Sequence, residues 1–190
     1  MNQPVLLIID AQKGIDEAAH WGGNRNNPEA ESRILQLLEH WRKQNWPVCH
    51  VYHDSVHPQS PFYPGKVGNE HKPGFEPLPH EVVLRKSTTN AFIDTNLELY
   101  LSRNRFSTLV VTGFVTNNSV EATVRMAGDS GYAVWVISDG VATFNKKGLD
   151  GQVYDSELVH TISLANMQGE YATIVSTEEL LSKLPELYQS

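Results

Sequence analysis

Short apolar runs rich in Val and Ile recur along the chain at residues 5–9, 47–52, 82–85, 108–112, 133–138 and 173–176. Runs of this length without a polar face read as parallel strands covered on both sides. Between them lie segments with helical periodicity. In a helix over residues 29–44, Ile34, Leu37, Leu38 and Trp41 fall at i, i+3, i+4 and i+7, with Glu31, Arg33, Glu39 and Arg42 on the outer face. A second helix begins after Thr95 with Leu97 and Leu101, a third holds Val120, Val124 and Ala127, and a fourth covers residues 156–168. A last helix starts at Ser176, which has capping-box spacing to Glu179. This alternation predicts an open, mainly parallel six-stranded sheet in a three-layer α/β/α, Rossmann-like arrangement, each helix returning the chain for another parallel strand. The 190 residues are read as a single domain, 1–190. Two stretches, 13–28 and the proline-rich 54–79, fit no element, and loops this long inside a compact domain more often wall a pocket than idle.

Composition narrows the partners. Fifteen Lys and Arg against 22 Asp and Glu give a net charge of −7, and the basic residues are scattered, which argues against a nucleic-acid partner. The longest apolar runs fall far short of the ~20 residues that span a bilayer, so no membrane partner is expected. Cys49 is the single cysteine, and the N-terminus shows no basic flank before its apolar run. Both features point to a reducing, cytoplasmic setting. Cys49 itself lies inside a predicted strand and reads as a small buried hydrophobe.

In an open α/β sheet the ligand site lies beyond the carboxyl ends of the strands. Asp10 follows the first strand, Lys86 the third, and the segment from Gly113 to Ser119 joins the fourth strand to the third helix. Each alone has an ordinary explanation: a turn residue, a surface lysine, a helix N-cap. Together they bring an acid, a cation and a hydroxyl at a helix N-terminus to one sheet edge. Such a set can serve as base, electrostatic partner and nucleophile, with the helix terminus favouring an anion formed beside Ser119.

The motifs LLIIDAQ, RKSTTNAF, VVTGFVTNNSVEATVRMAG, SDGVATF and SLANMQGEYATIVSTEELL, in that order, make the chain resemble the isochorismatase-like cysteine hydrolase superfamily, which includes the nicotinamidases. The resemblance implies a hydrolase for a small amide or related C–N or carbonyl substrate. It makes Asp10 the general base, Lys86 its charge partner and position 119 the nucleophile. It further implies a cis peptide between Phe114 and Val115, with the Val115 and Ser119 amides forming an oxyanion hole. Trp21, Phe62, Phe92 and Phe114 are the expected apolar walls, with Phe75 beside them. The superfamily commonly assembles, so a homodimer or higher homo-oligomer is expected, with loop aromatics covered by the partner subunit.

Most of the superfamily has cysteine where this chain has Ser119. Three readings stay open: a natural serine variant, a serine introduced to trap a ligand, and a binding or assembly module that has lost acyl transfer. The retained Asp10 and Lys86 speak against the last, because a buried charged pair without a task is costly. No histidine stands at a recognisable triad position. An isochorismatase-type vinyl-ether hydrolysis, needing only an acid and a water, is the alternative reaction. No cluster of Arg residues offers to clamp a dicarboxylate. The nicotinamidases carry an Asp-x-His metal pattern after the second strand. Here His53, Asp54, His57 and His71 occupy that loop with Asp54 and His57 one residue further apart, so no metal and no cofactor are assigned.

Overall fold

The computed structural model describes residues 3–187. The strands are β1 (Val5–Ile9), β2 (Val48–His53), β3 (Val82–Lys86), β4 (Thr108–Phe114), β5 (Ala133–Ala142), a small antiparallel hairpin of β6 (Lys146–Lys147) and β7 (Val153–Tyr154), and β8 (Thr173–Val175). Six of them form one parallel sheet in the order β3-β2-β1-β4-β5-β8. The helices are a single turn α1 (Ala18–Trp21), then α2 (Ala30–Gln44), α3 (Leu97–Arg103), α4 (Glu121–Asp129), α5 (Ser156–Met167) and α6 (Thr177–Leu187). The strand order steps outward in both directions from β1, so the switch point where ligands gather lies between β1 and β4.

Alternation along β1 shows why the sheet is covered on both faces. Leu6 and Ile8 join a core with Ile34, Leu37 and Trp41 of α2 and Leu180 and Leu184 of α6. Val5, Leu7 and Ile9 point the other way, into a core with Leu97 and Leu101 of α3 and Val124 and Ala127 of α4. Trp41 is buried whole because its indole N–H donates to the Pro4 carbonyl at 2.9 Å. At α6 the expected capping box forms, the Ser176 amide donating to Glu179 Oε2 at 2.7 Å and the Glu179 amide to Ser176 Oγ at 3.2 Å.

Three elements depart from the pattern read in the sequence. The fifth strand runs on past Ser138 to Ala142, because Ser138, Asp139 and Gly140 bulge out between the Val111–Val136 and Gly113–Val141 pairings. Asn27 satisfies the bulge, donating to the Ser138 and Val141 carbonyls at 2.8 and 2.7 Å. The third helix begins earlier than expected, with a π turn over Thr116–Val120 that leads into α4. Finally, α5 inverts the usual amphipathic arrangement: Ser156, His160 and Ser163 are buried, while Leu158 and Ile162 are about half exposed.

Gly113, two residues before the π turn's preceding residue Val115, lies at φ +115° with its Cα against β1. A Cβ there would stand 2.0 Å from the Ile9 carbonyl oxygen, so only glycine lets β1 and β4 close at their carboxyl ends. Gly113→Ala should therefore cost about 3 kcal/mol or more, combining left-handed strain with a backbone clash. Gly131→Ala, at φ +86° with open space around the new Cβ, should cost only about 1–2 kcal/mol. Urea denaturation measures both, and equal losses would show that the contact with Ile9 is not what demands glycine.

Candidate active site

The first strand ends at Ile9, and Asp10 turns the chain with φ +52°, a left-handed conformation that aspartate tolerates better than most residues. Its amide is held by the Val51 carbonyl of β2 at 2.8 Å. Lys86 closes β3 in register with His53, the last residue of β2. Ser119 sits within the π turn, which is fixed from two sides: Thr116 Oγ1 lies 3.0 Å from His160 Nδ1 of α5, and Thr143 Oγ1 donates to Asn117 Oδ1 at 2.5 Å.

These elements converge on the Lys86 ammonium, whose side chain is fully buried. It donates to Asp10 Oδ2 at 2.8 Å and to Ser119 Oγ at 3.2 Å, and His53 Nδ1 lies 3.2 Å away. Asp10 and Ser119 are themselves 2% and 5% exposed. The second Asp10 oxygen, Oδ1, is buried without a hydrogen-bond partner. The Phe114–Val115 peptide is cis, as the resemblance implies.

A cavity of about 480 Å³ opens beside this cluster, and Asp10, His53, Phe114, Val115 and Ser119 line it. The two long loops, the Ser87–Thr89 segment after β3 and Asn118 supply its remaining walls. Trp21 donates its indole N–H to the Gly14 carbonyl at 2.8 Å and packs on Phe62, ring centroids 5.0 Å apart. Phe114 is backed by the Arg25 guanidinium, 5.5 Å from its ring centroid. Among the expected walls, Trp21, Phe62 and Phe114 meet at the cavity and Phe92 does not. Phe92 belongs to the α3 and α4 core, its ring 6.0 Å from Tyr132, because the turn that carries it is tied to α4, the Ala91 amide donating to Thr123 Oγ1 at 3.0 Å. Phe75 is likewise core, 1% exposed against the α2 side. Of the loop aromatics, Phe62 and Phe75 are buried, while Trp21 stays partly exposed at the cavity.

Two participants escaped the sequence. His53 was read with the loop, whereas it ends β2 and touches Lys86. Gln12, quoted in the DAQ motif without a role, reaches across the site: its Nε2 donates to the His53 and Asn69 carbonyls at 3.1 and 2.9 Å, and its Oε1 accepts from the His53 amide at 2.7 Å. A polar residue three positions past a buried strand is the signal that could have found it.

The metal pattern does not fit. Asp54 Oδ1 is taken by Arg85 at 2.6 Å and Asn69 at 3.0 Å, and His71 turns toward the Lys72 carbonyl and Glu76. Among the described residues no three His, Cys, Asp or Glu side chains gather as a metal cluster.

An acid, an ammonium and a hydroxyl thus meet beyond the carboxyl ends of a parallel sheet, and the comparisons say to which family this framework belongs. The chain belongs to the isochorismatase family: the Isochorismatase domain matches residues 4–179. The Bacillus subtilis isochorismatase family protein YrdC is 39% identical over 177 residues, covering 93% of this chain and 94% of its own. A solved isochorismatase-family structure from Chromobacterium violaceum superposes with a TM-score of 0.93 at 44% identity, covering 98% of this chain and 95% of that one. The streptothricin hydrolase of Streptomyces noursei is 32% identical over 150 residues, which is 74% of this chain and 50% of that protein. The protein is thus a hydrolase of this family. No helix among the described residues is long and apolar enough to cross a membrane.

Burial lowers the pKa of His40 and of three more deeply buried histidines: His50, despite its bond to Glu81; His53, with the Lys86 charge adding to the effect; and His160, despite the charge of Glu157. Each is neutral in the folded protein near neutral pH. The unfolded chain binds these protons near pH ~6.5, so stability is full above that pH and is lost as pH falls toward the folded values. The expected loss is up to ~1.4 kcal/mol per pH unit for each histidine that titrates. Urea titrations at successive pH values should show the decline beginning below about pH 6.5. A plateau persisting down to the carboxylate range near ~4.5 would contradict it.

Proposed function

We propose that this hydrolase cleaves a small uncharged amide or related carbonyl compound at Asp10, Lys86 and Ser119. The observation that carries the reading is the free Oδ1 of a buried carboxylate whose other oxygen is already engaged by Lys86. Such an oxygen is an acceptor without a partner at the wall of a cavity. Apart from Asp10, the residues lining that cavity include no carboxylate, no Lys and no Arg, which suits a neutral ligand better than a dicarboxylate. The hydroxyls of Ser55, Ser60, Ser87, Thr88 and Thr89 and the rings of Trp21 and Phe62 supply polar and apolar contact.

In this reading Ser119 Oγ attacks the carbonyl carbon while its proton passes to Asp10. The Lys86 hydrogen bond favours negative charge developing on Oγ. The oxyanion is received by the Val115 and Ser119 amides. Asp10 then returns the proton to the leaving nitrogen as the C–N bond breaks, and water repeats the sequence to release the acid. The same free Oδ1 favours a second reading. Carrying a proton, it can protonate a vinyl ether, after which water adds without any covalent link to position 119.

Substitution separates the readings. A thiol at position 119 ionises far more readily than a hydroxyl. Ser119→Cys should therefore raise turnover of a panel of small amides and esters at least about tenfold, Ser119→Ala should remove it, and Asp10→Asn should remove it as well. Vinyl-ether chemistry predicts instead that Ser119→Ala is nearly silent and Asp10→Asn is inactive. A Ser119→Cys protein inert toward both substrate classes would leave a binding module.

The expected self-association draws support from residues other than the loop aromatics. Leu158 and Ile162 on α5 and Tyr154 on the neighbouring hairpin expose apolar side chains along one shallow groove, with exposed Val153 next to Tyr154 in the chain. We infer that a second copy of the chain covers this strip. Light scattering should then show an oligomer in the native protein and a folded monomer for Leu158→Glu combined with Ile162→Glu. A native monomer at micromolar concentration would overturn it.

A further inference from the structure

An ammonium carries three protons, and a buried one needs an acceptor for each. Two of those on Lys86 go to Asp10 Oδ2 and Ser119 Oγ. The remaining neighbour is His53 Nδ1 at 3.2 Å, and Lys86 has no proton acceptor to offer in return, so the contact requires a bare, accepting Nδ1. The imidazole is not free to turn away. Its backbone is pinned by both ends of the Gln12 amide and by Asn69 Nδ2, which donates to the His53 carbonyl at 3.0 Å. Its ring packs on Phe62 with centroids 5.9 Å apart, and its strand position is set by pairing directly with Lys86.

We propose that His53 is a positioning residue, whose neutral imidazole takes the third proton of Lys86 and so aims the other two at Asp10 and Ser119. This role rests on the site reading above and deepens it. With all three protons committed, Lys86 has none left for a substrate, which fits a neutral ligand. The charged and titratable groups around the ring agree with a neutral imidazole. Burial disfavours a proton there and Lys86 on β3 adds to it, outweighing Asp10 just past β1, the Thr88 backbone and Asp54, which favour one. His20 and His57 stand on the same cavity wall.

Two measurements test this. In the native chain, imidazole nitrogen NMR should show His53 with Nδ1 unprotonated and the proton on Nε2, and Lys86→Met should move the Nδ1 signal. A proton resident on Nδ1 near neutral pH would overturn the proposal whatever the substrate. The second measurement uses Ser119→Cys as a reporter, following iodoacetamide alkylation against pH with the native chain as the blank for buried Cys49. The introduced thiol should titrate below the free value of ~8.5. Adding His53→Leu should raise that pKa by about one unit, roughly a tenfold loss of alkylation rate near neutral pH. His53→Gln, whose carbonyl can still accept from Lys86, should keep most of the effect. An unchanged pKa in the His53→Leu protein, or equal losses with Leu and Gln, removes the positioning role alone. A thiol that titrates at the free value in Ser119→Cys by itself removes the site reading and the role together. Should His53→Leu fail to fold, the native-chain NMR result and the His53→Gln titration decide.

Discussion

A lysine ammonium taken out of water is among the more expensive groups a fold can hold, and it persists only where charge and hydrogen-bond acceptors meet it. The Lys86 side chain is completely buried, and its partners come from three different strand ends. That requirement reaches back into the sheet. His53 is beside Lys86 because β2 and β3 pair in that register. Asp10 is beside it because the β1 backbone continues onto Val51 of β2. Ser119 is within reach because Gly113 lets β4 lie against Ile9 before the chain turns. A slip of one residue in any of these pairings would send a partner to the opposite face and strand the charge.

The long loops complete what the sheet begins, and they are fastened with comparable care. Gly14 and Gly68 interlock around Pro61, where a Cβ on Gly68 would stand 2.5 Å from the Pro61 carbonyl oxygen. Lys72, nearly buried, bridges Asp16 of the first loop and Glu31 of α2, and Glu31 in turn holds Arg25 through two bonds of 2.7 and 2.8 Å. Arg25 is the group that backs Phe114. A continuous chain of charge contacts thus runs from the second loop, through the first, to an aromatic wall of the cavity. The walls are therefore set by the same packing that stabilises the loops, and a ligand must fit them largely as they stand.

The sheet was legible because its strands announce themselves: the uninterrupted LLII and LVV runs have no reading except burial on both faces. Asp10 was legible for the same reason, as the first polar residue after such a run, and Lys86 as the residue that closes the edge strand VVLRK. His53 ends a strand too, but it was grouped with Asp54, His57 and His71 of the loop, where no metal set fitted and no other role was read for it, and only the β2–β3 register shows its real neighbour. Phe92 misled because an aromatic two residues past a polar turn has no periodicity to tell wall from core. The π turn at Ser119 was out of reach, since its backbone depends on Thr116 meeting a histidine 44 positions away. The β5 bulge likewise depends on Asn27, 111 positions before Ser138. What escaped was in each case a contact between distant parts of the chain, which local pattern does not encode.

In the acyl-transfer reading proposed above, serine at position 119 shifts where the chemical work has to be done. A thiol with a free pKa of ~8.5 can be ionised in advance by a nearby cation. A hydroxyl is too weak an acid for the Lys86 hydrogen bond to do the same, so its proton must leave as the new bond forms. The geometry of Asp10 suits that proposed concerted transfer: one oxygen is tied to Lys86, which fixes the carboxylate plane, and the other is left unpartnered. The ion pair contributes little net charge to the cavity, and its value lies in direction. Catalysis by such a site depends on holding acid, hydroxyl and carbonyl in line within a fraction of an ångström. An over-determined network of Gln12, Asn69, His53 and Lys86 is the kind of support that a hydroxyl nucleophile needs more than a thiolate would.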